Sequence, residues 1–197
     1  MRWAASHPDW ILGFADEVWW SRLAVPALHA WAEADQPLRL VEQTVAPDDP
    51  DPKALACYGL LLPETHEVWR RFLDGRPVSA VTTVFLDWCC QDLAARGATA
   101  LLLAWDNAPW HISQAVRAWI WDHNRAVKAG TQKVRLIVCP LPIKSPWLNP
   151  IEPKWRHTRR RVVEPTRLLP ARELAERVCA ALGSPYHAHI PIPEKAA

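Results

Sequence analysis

The sequence predicts one α/β domain built around a mixed sheet, antiparallel at first and parallel later, with helices on both faces. Three observations carry that reading. Two apolar segments, 54–62 and 66–73, are separated only by Pro63-Glu64-Thr65, which marks a hairpin. The continuous apolar run "ATALLLAWDN" has the character of a central strand covered on both faces. Helical and extended segments then alternate through the second half of the chain. With 197 residues, half of them hydrophobic (50%), the chain can bury a core of ordinary size.

The elements follow in order. "DWILGFADEVWW" (Asp9 to Trp20) is a short apolar run reaching Asp16-Glu17, so it reads as a buried strand with acids at its end. "RLVEQTV" (Arg39 to Val45) alternates and reads as extended, and "APDDPDP" after it is a loop. "SAVTTVFLDWCCQDLAARG" opens on a serine cap and closes at Gly97, giving a helix over 79–96. The central strand ends at Asp106-Asn107. "ISQAVRAWIWDHNRAVKAG" is a helix closed by Gly130, and "VRLIVCPLP" is the next buried strand. A proline-rich turn leads to a helix from about Pro150. A last helix, 171–182, precedes a Pro-rich tail expected to be loose. Residues 1–165 form the main domain, and 166–197 are a C-terminal helix and tail, part of that domain or appended to it.

Charge is unevenly placed. Residues 1–106 carry −7, residues 107–163 carry +9 and residues 164–197 are neutral, for a net charge of +2. A basic face of this kind suits a polyanionic partner, and its alternative is a solvated surface. Five cysteines at irregular spacing, with no CxxC pair, indicate neither a zinc site nor a disulfide framework and point to a reducing cytoplasm. Met1 is followed by no basic and apolar leader, and no apolar run approaches the roughly 20 residues of a membrane span. Most of the 13 tryptophans belong in a core or an interface.

Asp16 and Asp106 stand at the ends of two predicted strands, where sites form in open α/β sheets. Two carboxylates facing each other repel unless a cation or proton lies between them. Mg²⁺ suits such a place because it takes hard oxygen ligands. Glu152, opening a helix beside those strand ends, supplies a third oxygen donor. Each acid has a plainer reading. Asp16 caps a turn and Glu17 is the working acid, Asp106 makes an Asx turn with Asn107, or Glu152 is an ordinary first-turn acid.

The wording around the acids is specific. "FADEVWWS" (Phe14 to Ser21), "DNAPWH" (Asp106 to His111) and "SPWLNPIEPKW" (Ser145 to Trp155) resemble, in order, the three acid motifs of bacterial insertion-sequence transposases of the mariner superfamily. "YGLLLPETHEVWRRFLDGRPVS" (Tyr58 to Ser79) resembles the segment between the first two, and the likeness spans about residues 10–165. The resemblance implies an RNase H-like DDE catalytic domain with Asp16, Asp106 and Glu152 as its acidic triad. It implies two Mg²⁺ ions, replaceable by Mn²⁺, which cut DNA at transposon ends and direct the freed 3′-hydroxyl into target DNA. DNA is the implied partner, bound by a homodimer in the bacterial cytoplasm, with no membrane. A catalytically inactive DNA-binding remnant and an RNase H-like nuclease are the alternatives.

From Glu152, helical spacing brings Arg156, Arg159 and Arg160 to the same face, while Ile151, Trp155 and Val162 fall on another. These arginines and Lys144 are expected to track phosphates, or else to be solvated surface charge. Asn107 and Asn149 flank the acids and are candidates to orient them, or simple turn residues; His111, five residues after Asp106, stands behind the acids as a group that touches substrate or a metal-bound water, or as a hydrogen-bonded structural residue. "HAH" (His187 to His189) offers two metal-binding side chains with no third in register. The sequence departs from the family in a longer Asp106–Glu152 gap and in Lys144, where tyrosine is common. Only 15 residues precede Asp16, too few for a helix-turn-helix module, so the chain reads as one product of a split frame that works with a separate helix-turn-helix polypeptide, as a fragment of a longer enzyme, or as a decayed remnant.

Overall fold

The structure is a computed structural model that describes residues 6–23, 44–162, 164 and 167–192. Five strands form one sheet in the order β3-β2-β1-β4-β5. They are β1 (Trp10–Ser21), β2 (Ala54–Leu62), β3 (Glu67–Phe72), β4 (Ala100–Trp105) and β5 (Arg135–Pro140). The β1–β2 and β2–β3 pairs are antiparallel, and β1–β4 and β4–β5 are parallel. The helices are α1 (Ser79–Ala95), α2 (Gln114–Lys128), α3 (Glu152–Val162) and α4 (Ala171–Leu182). This is the mixed sheet expected from the order of segments. The expected strand at 39–43 lies outside the described residues, and 44–45 join no strand.

Strand alternation sorts side chains between two cores. On one face Ala15, Tyr58, Leu60, Leu101 and Leu103 pack against Phe85, Leu86, Cys89 and Leu93 of α1 and Val116 of α2. On the other, Phe14, Val18, Trp20, Cys57 and Leu61 pack against Trp155 and Val162 of α3 and Leu174 and Val178 of α4. Every residue of β4 is buried, as a strand covered on both faces requires. Asn124 of α2 clamps β5, accepting from Leu136 N and donating to Leu136 O, both at 2.9 Å.

Three expectations are corrected. Asp16 does not end β1, which runs on to Ser21 because β2 pairs with it as far as Ser21↔Ala54. What ends near Asp16 is the pairing with β4, whose last register pair is Phe14↔Ala104. Ser79 does not cap α1: Val78 takes the N-cap position, and Ser79 Oγ donates instead to Ser113 Oγ at 2.8 Å. Nor is the C-terminal tail loose as far as Ile192. Ile190 is fully buried, bridges Leu73, and donates its N–H to Phe72 O at 2.8 Å, so backbone pairing along β3 holds it.

Candidate active site

Asp16 and Asp106 occupy matching places on neighbouring strands. The β1–β4 ladder pairs each residue with the one 90 later, from Trp10↔Ala100 to Phe14↔Ala104. Two steps beyond the last pair, that register carries Asp16 alongside Asp106, the first residue after β4. Alternation turns Asp16 toward the α3 face with Phe14 and Val18, and turns Glu17 toward the α1 and α2 face with Ala15. Of the adjacent pair, Asp16 is therefore the acid that reaches the cleft.

Glu152 arrives by a stapled turn. Pro146 starts a single 3₁₀ turn, Pro146–Leu148, and Asn149 follows it. Asn149, 3% exposed, donates from Nδ2 to Ala15 O at 3.0 Å. Its own carbonyl accepts from Glu152 N at 3.2 Å, and its Oδ1 accepts from Ile151 N at 3.4 Å. One buried amide thus fixes the start of α3 against the residue before Asp16. Asn107 does similar work across the cleft, donating to Leu141 O at 2.7 Å and so joining the ends of β4 and β5.

Asp16, Asp106, Asn107, Lys144, Asn149 and Glu152 all line one cleft of about 230 Å³ at the carboxyl end of the parallel strands. His111 lies behind Asp106. Its Nδ1 bonds Asp106 Oδ1 at 2.8 Å, its Nε2 bonds Glu17 Oε1 at 2.6 Å, and its ring stacks on Trp105. Ala108 N also donates to Asp106 Oδ1 at 3.0 Å, so the expected Asx turn exists beside the site arrangement. Arg156, Arg159 and Arg160 are exposed along α3 and do not line the cleft. Arg159 donates to Trp19 O at 3.3 Å. The "HAH" pair gathers no metal set: His189 bonds Asp74 Oδ1 at 2.7 Å, and His187 lies against the Trp88 ring.

The electrostatics differ between the acids. Burial, then repulsion from Glu152 and Glu17, pushes Asp16 up to about 7, although Trp155 opposes the shift by donating from Nε1 to Asp16 Oδ2 at 3.0 Å. The hydrogen bond from His111 holds Asp106 below its ordinary value against the pull of burial. Burial would lower His111, but its bonds to Asp106 and Glu17 outweigh that and raise it to about 9. Asp16 is therefore a carboxyl that resists ionising until about neutrality, first because it is buried and then because Glu152 and Glu17 repel its charge. A cation relieves the same repulsion.

Among the described residues, no group of three or more His, Cys, Asp and Glu side chains is gathered closely enough to hold a metal ion. The inner oxygens are engaged elsewhere, Asp106 Oδ1 by His111 and Asp16 Oδ2 by Trp155. The donor chemistry still fits a hard divalent cation, because three carboxylates line the cleft and one is destabilised as an anion. The sequence offered Glu17 only as an alternative acid and Trp155 only as a core residue, not as the hydrogen-bond partners of His111 and Asp16 that they are. Trp155 had a signal, since it lies three residues after Glu152 on the same helix. Glu17 had one in the alternation of β1.

Comparisons with known proteins give the family and the fold. A family model described as DDE superfamily endonuclease matches residues 12–174. No curated protein matches the sequence. The fold is similar to that in the crystal structure of the Mos1 strand transfer complex, with a TM-score of 0.60 and 14% identity over 88% of this chain and 47% of that one. It is similar to the Mos1 mariner paired end complex with Mn, with a TM-score of 0.60 and 14% identity over 88% and 48%. A pre-cleavage Mos1 transpososome gives a TM-score of 0.59 and 13% identity over 94% and 52%. The chain thus spans about half the length of these solved chains. The sheet order, the helices on both faces and the Mos1 likeness make the fold RNase H-like. With the family match covering most of its length and its acids lining one cleft, the chain belongs to the DDE superfamily endonucleases.

Proposed function

We propose that this chain is the catalytic domain of a DNA transposase of the bacterial insertion-sequence kind. It cleaves DNA at transposon ends and joins the freed end to target DNA. The observation that carries the reading is the convergence of Asp16, Asp106 and Glu152 on one cleft, two of them by strand register and the third by the Asn149 staple. Asp16, Asp106 and Glu152 would hold two Mg²⁺ ions, with Mn²⁺ as a substitute. When bound, such ions supply the positive charge that in-line phosphodiester displacement needs at its attacking and leaving oxygens.

The chain's own residues do the rest. Asp16 gives up its proton on binding a cation, which makes the site responsive to metal near neutral pH. Lys144 at the cleft wall meets a phosphate, and Arg156, Arg159 and Arg160 extend that contact along α3. In the first step a water oxygen loses a proton and forms a bond to phosphorus, while the bond from phosphorus to the 3′-oxygen breaks and that oxygen takes up a proton. In the second, that 3′-hydroxyl attacks a target phosphodiester, so one bond forms as one breaks. The protein works as a homodimer on DNA. End recognition is assigned to a helix-turn-helix polypeptide that acts with this one, and the likeness to Mos1 transposase–DNA complexes supports DNA as the partner.

The test uses duplexes carrying the element's own ends, taken from the DNA flanking its reading frame, with target plasmid and Mg²⁺ or Mn²⁺. Joined products with 3′-end linkage, lost in Asp106→Ala, are the expected result. Cleavage of RNA–DNA hybrids without joining would instead favour a nuclease. A chain that binds DNA but neither cuts nor joins it would be a remnant.

A further inference from the structure

Asp16 and Glu17 are neighbours in sequence but serve opposite faces of the sheet. Glu17 is 8% exposed and His111 is 1% exposed, and they meet at 2.6 Å. Asp106, whose side chain is 55% exposed, takes the other ring nitrogen at 2.8 Å. An ionised carboxylate can only accept, so an imidazole between two of them donates from both nitrogens. Trp105 fixes the plane of that ring, with centroids 4.4 Å apart and planes 7° from parallel. Glu17 faces Tyr58 across the β1–β2 ladder, and the Tyr58 hydroxyl bonds Thr82 of α1 at 2.6 Å, so the Glu17 side is embedded in rigid core.

We infer that Glu17 is a positioning residue for Asp106 and acts through His111. Asp106 lies just past the end of its strand, half in solvent, where only His111 Nδ1 and Ala108 N hold its Oδ1 among the described residues. Glu17 pins the imidazole, and the imidazole pins Oδ1 of an acid that lines the cleft. Groups behind a ligand that fix its orientation commonly change metal affinity about 10–100-fold. The inference rests on the proposed role of Asp106 in holding a cation and extends it to a residue on the far face of the sheet.

The experiment is calorimetric titration of Mn²⁺ into the metal-free full chain, with thermal unfolding of each protein measured alongside. The variants are Glu17→Gln, His111→Asn and the two combined. His111→Asn keeps a donor where Nδ1 stood and removes the one that faces Glu17. Mn²⁺ affinity is expected to fall about 10-fold or more in each single variant. The double variant should lose no more than the weaker single, because the two side chains act in series. The proposal is overturned if the variants lower the unfolding temperature but keep wild-type affinity, or if the two losses multiply. Should Glu17→Gln fail to fold, His111→Asn alone decides between loss of affinity and none. A wild-type chain that takes up no Mn²⁺ would overturn the metal reading of the cleft, and this proposal with it.

Discussion

Gly59 stands directly across the β1–β2 ladder from Asp16, and the indole of Trp155 fills the space a side chain at 59 would need. A Cβ there would collide with Cη2 and Cζ2 of that ring. The missing side chain therefore lets α3 come close enough for Trp155 Nε1 to reach Asp16 Oδ2. Gly59→Ala should cost about 1–3 kcal/mol by overpacking. Urea unfolding measures this, and wild-type stability in the variant would mean that α3 moves away freely.

Asp16 is raised from 3.8 to about 7, so the folded protein holds a proton there that the unfolded chain has released. Stability of the metal-free protein should fall as pH rises from about 4 to about 7, because the native state binds more protons over that window. Asp16→Asn removes the buried charge. It should stabilise the metal-free protein by about 2 kcal/mol at pH 8, after discounting the full shift for solvent, and by less at pH 5. Unfolding at both pH values checks this, and a destabilised variant at pH 8 would refute it.

His111 carries the opposite charge and a later window. Its value rises from 6.5 to about 9, so its stabilising contribution is complete below about 6.5 and is lost as pH climbs through about 9. Wild-type urea midpoints should drop over that range. His111→Asn should already be about 3 kcal/mol less stable at pH 7, because it leaves the Glu17 carboxylate buried and unpaired, and should change little above that. Parallel curves for the two proteins would contradict the assignment.

Arg156 and Arg160 are exposed, with no ion-pair partner among the described residues, whereas Arg161 is tied to Ala181 O at 3.2 Å. If α3 tracks a phosphate backbone, Arg156→Ala and Arg160→Ala should each reduce the slope of log affinity against log salt by about 1, whatever the DNA sequence. Fluorescence anisotropy across a salt series measures the slope. Arg161→Ala should leave it nearly unchanged.

Local pattern made much of this molecule legible. Periodicity separates the hairpin, the buried strand β4 and helix α1. Alternation puts Asp16 with Phe14 and Glu17 with Ala15 on opposite faces, but only the packing of α3 on the Phe14 face decides which acid enters the cleft. What stayed hidden depends on contacts between distant residues. β1 outruns Asp16 because β2 extends alongside it, and Trp155 meets Asp16 because Gly59 leaves room. Ile190 is held by a single bridge to Leu73, a contact with no period to read. The basic run of α3 was visible, but Arg159 spends a donor on Trp19 O, which composition cannot show.

Asp16, Asp106 and Glu152 are proposed to form one cation-dependent centre. Its most direct test is the rate of DNA cleavage in saturating Mn²⁺ by Asp16→Asn, Asp106→Asn and Glu152→Gln, each first shown to be folded by circular dichroism. A loss of about 10²–10³-fold is expected in every one of the three, of the order seen when a charge-stabilising group is removed from an active site. Near-wild-type cleavage by any folded member of the set would contradict it.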